Sequence, residues 1–327
     1  MILNKLKSNL FLYIRSIVQL IYGISTFIPG VYNLKIKTKN LNSNIKQTAR
    51  YSYSVYLRHM VMAKKNNLTA FPKIVIEIGP GDSLGIGLMA LLLGSEKYYA
   101  FDIEKNTNSL MNIKILEELV SMLINREDIP NESEFPLISP KLDSYKFPNQ
   151  IYDKKYLERY LIDEKINKIR NSIINNSEII EFKAPWYNDK NIELEKADII
   201  ISQAVLEHFD ELELGYGIMK KWLNKDGYMS HSIDFKSHNK SKTWDGHWKI
   251  PNWYWYLLKG GRPFLINRQP LSIHVNFLKK NDFNIIFTQL SKSVPTYERR
   301  KLNNNFKTMS DQDRHTSGAF IQVIKKN

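Results

Sequence analysis

Not one cysteine occurs in these 327 residues. That removes disulfides, thiolate metal sites and a cysteine nucleophile from consideration. Acid is missing locally: residues 1–70 hold no Asp or Glu but eleven basic residues, Lys5, Lys7, Arg15, Lys35, Lys37, Lys39, Lys46, Arg50, Arg58, Lys64 and Lys65. Of the formal charge of +14, only +3 is left for the other 257 residues. A segment of this kind is drawn to anionic surfaces, membrane or nucleic acid, or else forms a solvated face. An uninterrupted apolar run is absent too. Leu10–Ile28 comes nearest, but Ser8, Arg15, Gln19, Gly23 and Thr26 line up as one stripe of a helix. A spanning helix needs about 20 mostly apolar residues, and an arginine in mid-span costs roughly 2.5 kcal/mol or more. A secretory signal would show a short clean apolar core and a small-residue cleavage site, and neither is present. The segment therefore reads first as an amphipathic helix lying on a membrane surface, next as one packed on the protein, and last as a true span.

What is present is enough apolar material for a substantial core, 43% of the chain. The character of the sequence changes near Phe71-Pro72, which sets a basic helical N-terminal extension, 1–66, with its amphipathic segment 10–28, against a catalytic domain, 67–327. Short β-rich runs at Lys73–Ile78, Tyr98–Ile103, Ile179–Phe182, Asp198–Ser202 and Gly227–Asp234 alternate with helical spacing at Leu84–Leu93, Asn106–Asn125, Lys154–Leu161, Asp163–Ile174 and Asp210–Leu223. Asp210 and Glu213 have the spacing of a capping box. A further helix, Leu271–Lys280, precedes strands at Asn284–Leu290 and Ala319–Ile324. Strands alternating with helices imply an α/β fold, a doubly wound and mostly parallel sheet. Two excursions stand out, a helical insertion at about 105–176 and an aromatic stretch at about 236–270. Ligands in such sheets bind beyond the carboxyl ends of the strands.

One such end carries Glu77-Ile-Gly79-Pro80-Gly81-Asp82-Ser83-Leu84-Gly85. Gly79 permits a sharp turn, and Gly81 lets backbone approach a ligand with no Cβ in the way. Asp102, ending the next strand, is placed to accept both hydroxyls of a ribose. A dinucleotide fingerprint wants a third glycine where Leu84 stands. Glu77 suits the cationic amino group of S-adenosylmethionine better than a pyrophosphate, and that cofactor is expected. Glu77-x-Gly79-x-Gly81, Asp102 and Ser202-Gln203-Ala-Val-Leu-Glu-His208 resemble the first, second and fourth motifs of class I methyltransferases. Leu57-Arg-His-Met60 and Gly227-Tyr-Met-Ser-His-Ser-Ile-Asp234 are similar to a bacterial subgroup associated with surface-glycan biosynthesis. The resemblance runs from about Lys73 to the C-terminus. It implies a seven-stranded Rossmann-like sheet closed by an antiparallel C-terminal hairpin. It also implies cofactor contacts from Glu77, Gly79, Pro80, Gly81, Asp82, Asp102, Ser202 and Gln203. Many relatives carry an acid after the third strand to read adenine; here Phe182-Lys-Ala-Pro-Trp186 stands there, so backbone or an aromatic face takes that role.

Methyl transfer is an in-line displacement for which positioning supplies most of the catalysis. A hydroxyl acceptor also needs a base, and histidine suits that work near neutral pH. His231 and Asp234, near the end of the fifth strand, are the first candidates; His208 is a third, with a role in shaping the pocket wall. Trp244, His247 and Trp248, in a stretch where six Trp and Tyr crowd thirteen positions, are candidates to hold a sugar, or to pack a lid. His231, Asp234, His238, Asp245 and His247 offer metal-compatible donors, but their spacing fits no ligand pattern, and no metal is expected. The resulting expectation is O-methylation of a hydroxyl on a glycan or lipid-linked precursor, in the cytoplasm or on the inner face of the cytoplasmic membrane. An anionic membrane would be contacted through 1–66. A nucleic-acid methyltransferase is the alternative favoured by the basic N-terminus, although nucleic acid is not the expected partner. A non-catalytic membrane-associated scaffold on a cofactor fold is the third reading.

Overall fold

The computed structural model describes residues 17–31, 45–176, 179–186, 196–262 and 265–326. Its frame is one seven-stranded sheet in the order β3-β2-β1-β4-β5-β7-β6. The strands are β1 (Ile74–Ile78), β2 (Lys97–Phe101), β3 (Ile180–Lys183), β4 (Ala197–Gln203), β5 (Leu223–Asp234), β6 (Phe283–Lys292) and β7 (Thr316–Lys325). β1 to β5 are mutually parallel, and β7 runs antiparallel between β5 and β6. The mostly parallel sheet is the one that the alternation of strands and helices implies, and the antiparallel C-terminal hairpin is the one that the resemblance implies. Strand ends differ from the sequence reading by a residue or two, except that β5 starts four residues early and β7 three.

Alternation along each strand divides the core in two. Val75, Tyr98, Ile199 and Tyr228 face one layer, while Ile76, Tyr99, Ile200 and Met229 face the other. The first layer is built from α1 (Ile45–Lys65), α2 (Gly85–Leu92), α3 (Ser109–Ile124), α4 (Lys154–Tyr160) and α5 (Asp163–Asn175). The helices of the expected insertion thus cover the sheet. The second layer holds α6 (Leu212–Trp222) and α8 (Leu271–Lys280). α6 lacks the expected capping box: its N-cap Glu211 makes no side-chain bond, Asp210 pairs with Lys259, and Glu213 pairs with Lys280 at 2.5 Å. Outward ion pairs hold the loop before α6 to its neighbours, leaving no carboxylate for the helix end.

α1 corrects the expected division at residue 66. It is not an appendage: Tyr53, Tyr56, Leu57 and Met60 are core residues. Arg58 is fully buried, donating to Ser54 Oγ, to the carbonyls of Pro130, Ile138 and Pro140, and to Glu132 at 3.2 Å. Arg50 pairs with Glu127 and Glu134, and Lys65 with Asp143. The acid-free stretch is therefore partly neutralised by acids from the 127–143 loop, so it is not one continuous basic face.

Residues 17–25 form a helix followed by turns to Gly30. Residues 10–16 of the expected amphipathic segment, and 32–44 of the basic extension, lie outside the described residues. Within the described residues, Gly23 and Thr26 of the polar stripe face inward. Thr26 is buried and accepts from Gly261 N–H at 2.9 Å, and a Cβ on Gly23 would meet the Leu257 carbonyl oxygen at 2.3 Å. The stripe docks against the end of α7 (Asn252–Lys259), and the apolar side is left outside: Val18, Ile21 and Ile28 are about 60% exposed. Among the described residues, no helix is long and apolar enough to cross a membrane.

Candidate functional site

A cleft of about 310 Å³ opens beyond the carboxyl ends of β1, β2 and β4, where the strand order reverses. Ile78, Gly79, Gly81 and Asp82 line it from the β1 loop, Asp102, Ile103, Glu104 and Asn106 from the β2 loop, and Ala204, Val205, His208 and Phe209 from the β4 loop, with Trp186 beyond β3. Gly79 has φ +73°, and a Cβ there would meet Val205 at 2.5 Å. Gly81 has φ +66° with nothing within 4 Å of a Cβ. Asp102 anchors the loop, accepting from Gly81 N–H at 2.9 Å and from Ile103 N–H at 2.7 Å. Burial raises its carboxyl above the ordinary value, against the pull of those donors. Trp186 is buried and stacks on Phe209, centroids 5.1 Å apart. This supplies an aromatic wall in place of the missing acid after β3. Pro80 turns to a neighbouring cavity of about 360 Å³, which shares Gly81 and Asp82 with the cleft and is walled by Thr48, Tyr51 and Ser52 of α1.

Gly79, Gly81, Asp82, Asp102 and His208 thus meet in one place. Other sequence candidates do not reach it. Glu77 is enclosed, accepts from the Tyr98 hydroxyl at 2.5 Å, and is pushed by burial up to about 8 despite that bond. Ser202 Oγ lies 2.8 Å from His231 Nδ1, and Gln203 Oε1 3.2 Å from His59 Nε2. His59 Nδ1 meets Ser230 Oγ at 2.8 Å, to which Gln322 also donates. His231 therefore belongs to the interior and cannot touch an acceptor: it is 1% exposed, and burial holds its imidazole at about 3, helped by His59 and His274. The reason is register. His231 pairs beside Ser202, and β5 runs on three residues to Asp234 before it reaches the end of the sheet.

Asp234 sits at that end. Its Oδ1 meets Lys236 Nζ at 2.7 Å and its Oδ2 meets His238 Nε2 at 3.3 Å. Burial alone would raise this carboxyl, but His238 and Lys236 hold it at about 2, which makes it a weak base. Glu207 lies beside it, its carboxyl pushed well above the ordinary range by burial. The aromatic candidates are mostly structural. Trp248 is 1% exposed and donates its Nε1–H to the Arg268 carbonyl at 2.9 Å. Trp244 donates to the Val294 carbonyl at 2.9 Å, and His247 is buried against Trp248. Trp253 and Tyr256 point outward instead. Trp244, His247 and Trp248 pack the lid from within, because paired large rings there are worth more buried than wet.

Sequence reasoning missed Tyr51. It walls the cavity beside the cleft, and burial lifts its hydroxyl to about 12, with the charges of Glu77 and Glu207 adding to the effect. Treating 1–66 as a separate extension hid it. Val205 and Phe209 were also missed as lining residues, although both belong to or directly follow the β4 motif already identified.

No family model matches the chain, and no curated protein matches it. Among solved structures, it is similar to magnesium protoporphyrin IX methyltransferase of Synechocystis with bound SAH (10% identity, 94% of this chain and 100% of that one, TM-score 0.41). It is also similar to the YcgJ protein of Bacillus subtilis (11%, 83% and 99%, 0.39). A third is an S-adenosylmethionine-dependent methyltransferase of Clostridium acetobutylicum (10%, 90% and 98%, 0.38). Likeness at this level does not bear on chemistry; the residues of the cleft do.

Proposed function

We propose that this chain is an S-adenosylmethionine-dependent methyltransferase. The observation that carries this reading is the charge of the cleft. Asp82, Asp102 and Glu104 line it, with no lysine or arginine among the described lining residues. Such a wall attracts a sulfonium and an α-amino group and repels a pyrophosphate. The start of α2, where a dinucleotide would rest its phosphates, is already satisfied: Leu84 N–H donates to Asn112 Oδ1 and Gly85 N–H to Ser83 Oγ, both at 3.0 Å. Asp102 would take the ribose hydroxyls, Trp186 and Phe209 the adenine face, and the Gly79–Gly81 backbone the chain between them. When bound, the cofactor supplies an electrophilic methyl group. In calorimetry S-adenosylhomocysteine should bind and NAD should not. Asp102→Ala should weaken that binding by roughly 1.5–3 kcal/mol, the worth of hydrogen bonds to a charged acceptor. Tight NAD binding, or indifference to Asp102→Ala, would overturn the reading.

The acceptor we infer is a hydroxyl of a glycan or lipid-linked precursor at an anionic membrane. Its support is the outward apolar face of residues 17–28 beside exposed Trp253 and Tyr256, on a segment free of acid. Its proton would leave at the corner where His208 enters the cleft wall. Protein incubated with cell extract and methyl-labelled cofactor should label the glycolipid fraction; label confined to nucleic acid would favour the alternative instead. Full-length protein should sediment with anionic vesicles, and the Ile21→Glu, Ile24→Glu double variant should not. Equal sedimentation of the two proteins counts against the membrane reading.

A further inference from the structure

We propose that Glu207, His208 and His238 form a divalent-cation site on the acceptor side of the cleft. One ligand atom from each lies within 4.8 Å of the other two. Glu207 is 3% exposed, and neither of its carboxylate oxygens makes a hydrogen bond of good geometry among the described residues, the backbone N–H groups of Glu207 and Asp234 only leaning toward it. Nε2 of His238 faces both carboxylates, 3.9 Å from Glu207 Oε1 and 3.3 Å from Asp234 Oδ2, the latter a contact poorly aligned for a hydrogen bond. Leaving a buried carboxylate with no donor costs several kcal/mol unless something neutralises it. The backbone spends strain to bring the group together: His238 and Asn239 hold φ of +44° and +61°. Asp234 Oδ1 accepts from both the backbone N–H and Nζ of Lys236, which fixes the turn and leaves Oδ2 turned to His238. His208 lines the cleft, so the group opens toward it.

Two imidazoles with one or two carboxylates suit manganese, iron, cobalt or zinc better than magnesium or calcium. The pattern is invisible in sequence because His238 comes from the far side of β5 and reaches Glu207 only through the left-handed turn. The consequence for chemistry rests on the methyltransferase reading. A hydroxyl bound to the cation gives its proton to water more readily. The oxygen then forms a bond to the methyl carbon as the S–C bond breaks, and the sulfonium becomes a neutral thioether.

Full-length protein stripped with chelator should bind one Mn²⁺ per chain, followed by electron paramagnetic resonance, and Zn²⁺ should displace it. Glu207→Gln and His238→Ala should each weaken Mn²⁺ by at least about tenfold, the usual loss around a metal site. Retained S-adenosylhomocysteine binding would report that these variants are folded. Should the cofactor product fail to bind any form while Mn²⁺ still depends on Glu207 and His238, the cation site stands and the methyltransferase reading falls. No stoichiometric uptake of Mn²⁺ or Zn²⁺, or equal uptake by wild type and both variants, would overturn the site. So would a Glu207→Gln protein that is only more stable, because Glu207 would then be a neutral acid.

Discussion

β4 and β5 present polar groups to two different places, and the two behave oppositely. Inside the sheet, Gln203, His59, Ser230 and Gln322 bond one to the next and Ser202 holds His231 Nδ1, so that only Nε2 of His231 is left without a partner among the described residues. At the strand ends, a few residues further on, Glu207, His238 and His247 leave side-chain atoms without hydrogen bonds. A closed polar network rigidifies and specifies a fold, whereas buried polar atoms without partners call for a ligand or explanation. The same motif therefore contributes a structural half, Ser202 and Gln203, and a functional half, Glu207 and His208.

The sharpest break of this comparison is kinetic. His208→Ala should lower methyl transfer by roughly two to four orders of magnitude, the usual contribution of a group that manages the acceptor proton. His231→Ala should leave saturated turnover nearly intact and instead lower the melting temperature, since it opens a cavity and strands Ser202 Oγ. Rates measured on the labelled glycolipid fraction, alongside thermal melts, separate the two. A turnover defect in His231→Ala with no loss of stability would erase the distinction between interior and cleft.

The two loop glycines sharpen it further. Gly79→Ala must fit a side chain against Val205 at a left-handed φ, so we expect a stability loss of about 1–3 kcal/mol from strain. Gly81→Ala faces open space at a similar φ; its loss of stability should be nearer 1 kcal/mol, and S-adenosylhomocysteine affinity should suffer instead. Denaturant melts and calorimetry on both variants give the answer. If Gly81→Ala binds like wild type, the cofactor does not pass over that residue.

How far the sequence could carry these conclusions depended on which physical signal each part emits. Strands announced themselves by apolar runs such as Ile199–Ile201, and the Gly79–Asp82 loop by residues that only a tight turn tolerates. Asp102 and Trp186 could be placed because each follows a strand end. His231 could not, since the face a β residue occupies depends on where the strand stops, and Gly227–Asp234 alone does not show that. Trp248 stayed between two roles because a buried ring and a sugar-stacking ring look alike in sequence. α1 was hidden by its charge: Arg50, Arg58 and Lys65 looked like a surface until the 127–143 loop supplied their partners.

The smallest expected effect tests the interior alone, through pH. Glu77 titrates at about 8 in the folded chain, against an ordinary 4.5, so the folded state holds its proton more tightly than the unfolded state. Its contribution to stability is complete below pH 4.5 and is lost as pH rises toward 8. His231 and His274, both held at about 3 by burial, have the opposite sign: their folded forms reject protons, and stability falls as pH drops from 6.5 toward 3. Stability should therefore pass through a maximum in the mildly acidic range and decline by roughly 1–2 kcal/mol between pH 6 and 7.5, up to one proton's slope. Glu77→Gln, which keeps the shape and removes the titration, should flatten the alkaline limb and leave the acid limb unchanged. Chemical denaturation across this pH range is the measurement. A limb equally steep in Glu77→Gln would mean that Glu77 is ionised in the fold and that the slope belongs to another buried carboxyl, such as Glu207, which burial also pushes up.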